Sequence, residues 1–173
     1  MPVPIRHRNL PLLLLQAREA VISHFRPLLN HFGLTEQQWR VVRVLEEEGE
    51  LEPWQISERC QILKPSLTGV LARMEEIGLV QRRKLDADQR RQLVSNTRKS
   101  SQLVGAMAPL VERQYRSLER ALGKGLVDEL YAMLDRLLAA GHERVAAVPL
   151  PAEPRRAKRA RTGSRAPAVS RPG

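Results

Sequence analysis

Leu67, Val70, Leu71, Met74 and Ile77 recur at i, i+3, i+4, i+7 and i+10, one apolar stripe of a helix with a 3.6-residue period. The opposite face carries Lys64, Ser66, Thr68, Gly69, Ala72, Arg73 and Glu76, and its first half is small, polar and basic. Lys64-Pro65 or Ser66 opens this helix, since proline is tolerated in a first turn, and Gly78 closes it as a left-handed cap. Ahead of it, residues 53–60 (PWQISERC) read as a short helix with proline first, and Gln61-Ile62-Leu63 as a three-residue connection. After Gly78 the period shortens. Residues 79–84 (LVQRRK) and 92–95 (QLVS) are strand candidates around a polar loop, 85–91.

The rest of the chain reads as helices. Residues 10–32 predict one long helix, bent at Pro27 and stopped by Gly33, with Leu12 to Leu15 as its buried start. Thr35-Glu36-Gln37-Gln38 is a capping box that opens a helix to about Glu48, closed by Gly49. A further helix runs from about Thr97 to Leu122, bent at Pro109. Gly123-Lys124-Gly125 breaks it, and a last helix spans about 126–143 with Leu126, Leu130, Leu134, Leu137 and Leu138 on one stripe.

Two short helices on a three-residue turn form a helix-turn-helix, whose second helix presents its N-terminal residues to the major groove of DNA. With the hairpin added, the fold class is mainly α: a winged helix-turn-helix with a small β-hairpin wing. The candidate DNA-binding residues on the helix are Lys64, Pro65, Ser66, Thr68, Gly69 and Arg73, and on the wing Arg82, Arg83, Asp88, Gln89, Arg90 and Arg91. Asp86 or Asp88 pairs with an arginine to hold the loop, and a tip arginine suits a narrow minor groove. The plainer alternatives are an ordinary surface helix and a solvated hairpin with self-cancelling charges. Arg82, Arg83 and Lys84 stand on strands without an acid, which favours phosphate contact.

The terminal helices carry more apolar residues than a small winged helix covers. A second copy of the chain covers them most simply, giving an isologous twofold dimer. Such a dimer sets two recognition helices about 34–36 Å apart, one DNA turn, and predicts a palindromic site. The domain plan is therefore residues 10–33 and 97–145 for dimerisation, 34–96 for the winged helix-turn-helix, and a basic tail at 149–173.

The 173 residues carry a formal net charge of +10. The tail holds Arg155, Arg156, Lys158, Arg159, Arg161, Arg165 and Arg171 against Glu153, so it accounts for +6 of that charge. Its Pro-, Ala- and Arg-rich composition predicts disorder and a non-specific attraction to phosphate. A sequence-tolerant architectural DNA-binding protein using this tail is the alternative reading. The one cysteine, Cys60, excludes an intramolecular disulfide and suits a reducing cytoplasm. The apolar run after Pro11 is too short to span a bilayer and has no cleavage pattern, so no membrane role is expected. Cys60 reads as a small buried hydrophobe. His7, His31 and His142 show no metal-ligand spacing with it or each other. No nucleophile–base constellation and no phosphate-cradling glycine loop stands out, so neither an enzyme nor a cofactor is expected.

Residues 34–45 (LTEQQWRVVRVL), 64–71 (KPSLTGVL), 75–80 (EEIGLV) and Asp88-Gln89-Arg90 resemble the MarR family of bacterial transcription regulators. The likeness covers residues 10–145 and is greatest to the branch that controls catabolism of aromatic acids, the homoprotocatechuate-pathway repressors. One departure is visible: the family usually has Leu-Thr and then a glycine after the second wing strand, and here Ser95-Asn96-Thr97 leads to Ser100. The resemblance implies a homodimer on double-stranded DNA, released by a small aromatic carboxylate.

Arg18 lies within the stripe of Leu14, Val21, Ile22 and Phe25. A guanidinium there pairs with a protein carboxylate, reaches the stripe's edge, or takes a ligand carboxylate bidentately. The resemblance implies the last, because aromatic-acid sensors of the family use a first-helix arginine and a histidine six residues on, matched here by Arg18 and His24. Ser23, Trp39 and Arg40 complete the candidate ligand set, although Trp39 on its own pattern reads as core and His24 as a half-exposed helix residue.

Overall fold

The computed structural model describes residues 5–85, 88–141, 146 and 148–150, and of residues 88–90 the backbone alone. The basic tail from residue 151 and the hairpin tip at Asp86-Ala87 lie outside the described residues. Among the described residues the element order is α1 (Leu10–Ser23), α2 (Arg26–His31), α3 (Glu36–Glu48), α4 (Pro53–Cys60), α5 (Lys64–Glu76), β1 (Val80–Leu85), β2 (Asp88–Asn96), α6 (Arg98–Leu122) and α7 (Lys124–Ala140). The chain divides into two units, residues 1–131 and 132–173; described residues of the second include the last turns of α7.

The core of the first unit gathers Leu29 of α2, Val41, Val42 and Leu45 of α3, Ile56 and Cys60 of α4, four residues of α5, Val80 and Val94 of the hairpin, and Met107 of α6. On α5 these are Leu67, Val70, Leu71 and Met74, as the stripe predicts. Each such burial is worth roughly 1.5–3 kcal/mol, so the inner face of α5 is held firmly and its other face is left outward. Ile77, the fifth member of the stripe, is exposed instead, because it sits at the C-cap where the helical rotation has ended. Gly78 then takes φ 70°. Its N–H donates to Glu75 O at 3.0 Å and that of Leu79 to Met74 O at 2.8 Å, a double closure that uses the glycine's left-handed freedom.

The capping box is present at the start of α3, where the Thr35 hydroxyl accepts from Gln38 N and Gln38 Oε1 accepts from Thr35 N. Pro27, by contrast, does not bend one helix; it separates two. A proline lacks an N–H and crowds the carbonyl four residues back. That carbonyl belongs to Ser23, the last residue of α1, and Pro27 serves in the first turn of α2. Pro109 is carried inside a continuous α6. The second break is shorter than the sequence suggests: Gly123 alone separates α6 from α7, and Lys124 and Gly125 are helical. The last helix therefore starts and ends earlier than 126–143, and His142 lies outside the described residues.

β1 and β2 pair antiparallel with Val80 opposite Asn96 and Lys84 opposite Gln92, and the register shifts before Leu85 pairs with Asp88. The strands thus extend into the segment expected to be loop, because each added backbone pair satisfies donors and acceptors that solvent would otherwise take. Leu51 adds a one-residue bridge, exchanging hydrogen bonds of 3.0 and 2.8 Å with Val94. The exit from the wing is regular despite the departure at residues 95–100. The Thr97 hydroxyl accepts from Ser100 N at 3.3 Å, capping α6, and donates to Gly78 O at 2.7 Å.

The expectation of a buried start to α1 fails within one chain. No residue of α1 is buried, and Leu10, Leu12, Leu14 and Leu15 are exposed. Leu126, Leu130 and Tyr131 of α7 are exposed as well, as, in the second unit, are Met133, Leu137 and Leu138. Scattered apolar residues on a surface are ordinary; runs of them along one helix mark a face that meets another surface.

Candidate nucleic-acid interface

Lys64, Pro65, Ser66, Thr68 and Arg73 stand exposed along α5, with Gly69 half-buried between them. A Cβ built on Gly69 meets nothing within 4 Å, so this stretch of the helix faces open space. The Thr68 hydroxyl donates back to Lys64 O at 3.3 Å, which leaves its methyl group and oxygen lone pairs outward. Leu63, just before the helix, is 79% exposed. The result is a low, mixed surface of hydroxyl, methyl, ammonium and guanidinium groups, the chemistry that reads base edges and phosphates together.

A cleft of about 390 Å³ separates this helix from the wing. Lys64, Thr68 and Leu71 form one wall, Arg82, Arg91 and Gln92 another, and Glu52, Pro53 and Trp54 close its end. Trp54 is 48% exposed there. Neither Trp54 nor Leu63 stands out in the sequence as a site residue, since each is an isolated apolar residue at a helix start.

The wing arginines are not surrounded by open solvent alone. Arg83 Nε donates to both carboxylate oxygens of Glu50 at 3.0 Å, and its Nη2 makes a further bond to the same group. Arg91 Nε lies 3.3 Å from Glu52 Oε2, and its Nη2 bonds the other oxygen. Arg82 Nε is 3.1 Å from Glu75 Oε2, at an angle too poor for a hydrogen bond. These acids come from the segment before α4 and from the end of α5. The absence of acid on the strands themselves therefore does not describe the folded wing. Hydrogen bonding from Arg83 and Arg91 holds the Glu50 and Glu52 carboxyls below the usual carboxylate range. Asp86, and the side chains of Asp88, Gln89 and Arg90, lie outside the described residues.

Of the ligand candidates, Arg18 and Arg40 are brought near one another, and Ser23 and His24 stand at the end of α1. Arg18 is half-exposed and pairs with Glu36 in the first turn of α3, not with an apolar stripe. Ser23 Oγ donates to Ala20 O at 2.8 Å, and His24 is the exposed C-cap of α1. Arg40 Nη1 donates to Cys60 O at 2.5 Å, while its Nε is buried without a partner. Burial, and secondarily Arg18, lowers the Arg40 pKa. Trp39 packs on the core and also lines a groove of about 160 Å³ between α3 and α6. Arg43, Val104, Ala108 and Val111 share that groove with Glu46, Glu47 and Glu112. The Arg43 guanidinium is held by Glu47, with Nε to Oε1 at 2.8 Å, and by Tyr115, and these bonds raise its pKa. Tyr115 in turn lies against Phe25, ring centroids 4.8 Å apart. Arg43 is one helical turn beyond Trp39, a spacing that places both on one face and is readable from the chain.

A model described as the MarR family matches residues 34–91. The homoprotocatechuate degradative operon repressor of Escherichia coli is 40% identical over 143 residues, 83% of this chain and 97% of that one. The chain belongs to the MarR family. Among solved MarR-like folds, the transcriptional regulator PA4135 superposes with a TM-score of 0.75 at 45% identity, covering 77% of this chain and 98% of that one. NadR in complex with 4-hydroxyphenylacetate superposes with a TM-score of 0.67 at 39% identity, covering 79% and 97%. MarR-family proteins are DNA-binding transcription regulators, not enzymes, and the winged helix built here from α4, α5 and the hairpin is their fold. Among the described residues no helix is long and apolar enough to cross a membrane.

Proposed function

We propose that this MarR-family regulator is a homodimeric repressor of an aromatic-degradation operon that binds a palindromic site and leaves it when a small aromatic or heteroaromatic carboxylate binds. The reading rests above all on the outward face of α5, where Lys64, Ser66, Thr68 and Arg73 are exposed beside a cleft walled by Arg82 and Arg91. The uncovered apolar residues of α1 and of α7 supply the dimer surface. Such a protein acts where the chromosome is, in the cytoplasm.

For the effector, the Trp39 groove supports the reading better than the α1 residues do. A cavity of about 150 Å³ suffices for a benzene ring, and the groove's volume is about 160 Å³. Trp39 offers a ring face, and Arg43 a guanidinium that a ligand carboxylate would have to take from Glu47. Phe25, next to His24, rests on the Tyr115 that holds Arg43, and a second copy would bring a further α1 with its own Arg18, Ser23 and His24.

The experiment has two arms. Gel-shift competition at physiological salt compares duplexes selected by the protein from a random pool with unselected ones. Strong preference for the selected duplexes supports the repressor, and equal affinity supports a sequence-tolerant DNA binder instead. A thermal-shift screen with 4-hydroxyphenylacetate and hydroxynicotinates follows, with Arg43→Ala as control. A bound acid raises the melting point by mass action, and the shift is lost in Arg43→Ala if the groove is the site. A shift retained in Arg43→Ala but lost in Arg18→Ala returns the site to α1.

A further inference from the structure

Leu63 occupies the N-cap of the reading helix α5 and is 79% exposed. A leucine there is unusual on two counts. It has no side-chain oxygen to accept from the first turn, as serine, threonine, aspartate and asparagine do. The helices α1, α3 and α6 follow that rule, opening on Asn9, Thr35 and Thr97, whose side chains accept from Leu12 N, Gln38 N and Ser100 N. Nor does Leu63 gain by burial, since it lies outside the core that takes Leu67, Val70, Leu71 and Met74. Its backbone, at φ −59° and ψ 137°, is extended as a capping residue's is, so nothing local bars a polar side chain. A residue that serves neither cap nor core is the kind of local exception that accompanies function. Leu63 begins an unbroken exposed run with Lys64, Pro65 and Ser66, and Thr68 is exposed beyond them.

We propose that Leu63 is a specificity-determining residue that reads the methyl group of a thymine in the major groove. The inference rests on the DNA-binding reading above and adds a base to it. A helix-turn-helix presents the first residues of its second helix to base edges, and Leu63 stands at that end. Base edges in the major groove are donors and acceptors, and the C5-methyl of thymine is their one apolar group. A leucine set against that methyl buries apolar surface on both sides. Set against the amino group of cytosine, it covers a donor without offering an acceptor, which costs free energy. One side chain thus favours thymine and rejects cytosine at the same position. Being uncharged, it adds nothing to the attraction for phosphate, so its effect falls on sequence preference alone.

The test uses the full-length chain and duplexes that the wild type selects from a random pool. They are resynthesised with deoxyuridine in place of one thymine at a time, which removes the methyl alone, and fluorescence anisotropy reads the affinity. At one thymine per half-site the wild type is expected to lose about fourfold, the effect of one buried methyl-sized group. Leu63→Ala is expected to bind the thymine duplex at least as weakly as the wild type binds the deoxyuridine one, and to be indifferent to the replacement at that position. Its affinity for unselected duplexes stays unchanged. Leu63→Ser loses the same thymine preference while melting about 2–4 °C higher, because it supplies the absent cap. No penalty at any thymine in the wild type, or every penalty retained in Leu63→Ala, would overturn the proposal. Equal losses on selected and unselected duplexes would overturn it too, by making Leu63 a sugar-phosphate contact. So would a lower melting temperature in both variants, since the leucine would then serve the fold. A wild type that prefers no duplex over another defeats the repressor reading on which the inference rests, a result distinct from these.

Discussion

Arg40 of α3 donates a hydrogen bond from Nη1 to the carbonyl oxygen of Cys60, 2.5 Å away, at the last residue of α4. The bond joins the scaffold to the first helix of the DNA-binding motif and satisfies a carbonyl that the helix leaves unpaired. Arg40→Ala is expected to cost about 1–2 kcal/mol of stability, since a charged donor to a half-buried carbonyl is lost. Urea denaturation measures this. A variant as stable as the wild type would show the bond to be dispensable.

Arg73 is exposed on the outward face of α5. Arg73→Ala is expected to weaken binding to a preferred duplex by about 1–3 kcal/mol and to reduce discrimination at one base position. Fluorescence anisotropy against selected and unselected duplexes reports it. An equal loss on both would make Arg73 a phosphate contact, and no loss on either would remove it from the reading face.

Cys60 is buried, and burial pushes its thiol up to about 11. The thiolate is the reactive form, so at neutral pH the native protein should resist iodoacetamide and mild peroxide. The stabilisation associated with the protonated, buried thiol is complete below its ordinary value of 9.0 and is lost as pH rises toward about 11. Labelling that is as fast in native as in unfolded protein would contradict this burial.

Gln61 takes φ 50° in the turn between α4 and α5, the one non-glycine residue with positive φ among the described residues. Its side-chain amide donates to Glu58 O at 2.8 Å, which offsets part of the cost. Gln61→Gly should gain about 0.5–1 kcal/mol, a rise of roughly 1–4 °C in melting temperature. A fall would mean that the amide bond outweighs the backbone strain.

Leu126 and Leu130 are exposed on α7. Leu126→Asp with Leu130→Asp should convert a dimer to a monomer in light scattering, with little change in helicity by circular dichroism, because neither side chain is buried within one chain. A wild-type monomer at micromolar concentration would remove the twofold arrangement altogether.

The helix-turn-helix and its caps are legible in the chain because they are local. Gly78, Thr35 with Gln38, and the stripe from Leu67 to Met74 each act within one or two turns, and the structure places them as their chemistry requires. Pro27 was visible, but bend and break differ only in whether the Ser23 carbonyl finds another donor, which no pattern shows. The Glu50–Arg83 and Glu52–Arg91 pairs join residues 33 and 39 positions apart, so the strands look free of acid until the sheet forms. Arg18 was legible in part. Of its stripe Phe25 is buried, Val21 and Ile22 are half-buried and Leu14 is exposed, and of the three fates open to the guanidinium in the sequence it takes a protein carboxylate, Glu36.

The Thr97 hydroxyl gives to the Gly78 carbonyl while receiving from Ser100 N. It works as a rivet through two parts of the molecule, the trailing end of the reading helix and the leading end of the long α6. Tilting α6 drags that carbonyl with it or snaps the bond. A displacement of α6 is therefore felt at the end of α5 through the Thr97 hydroxyl.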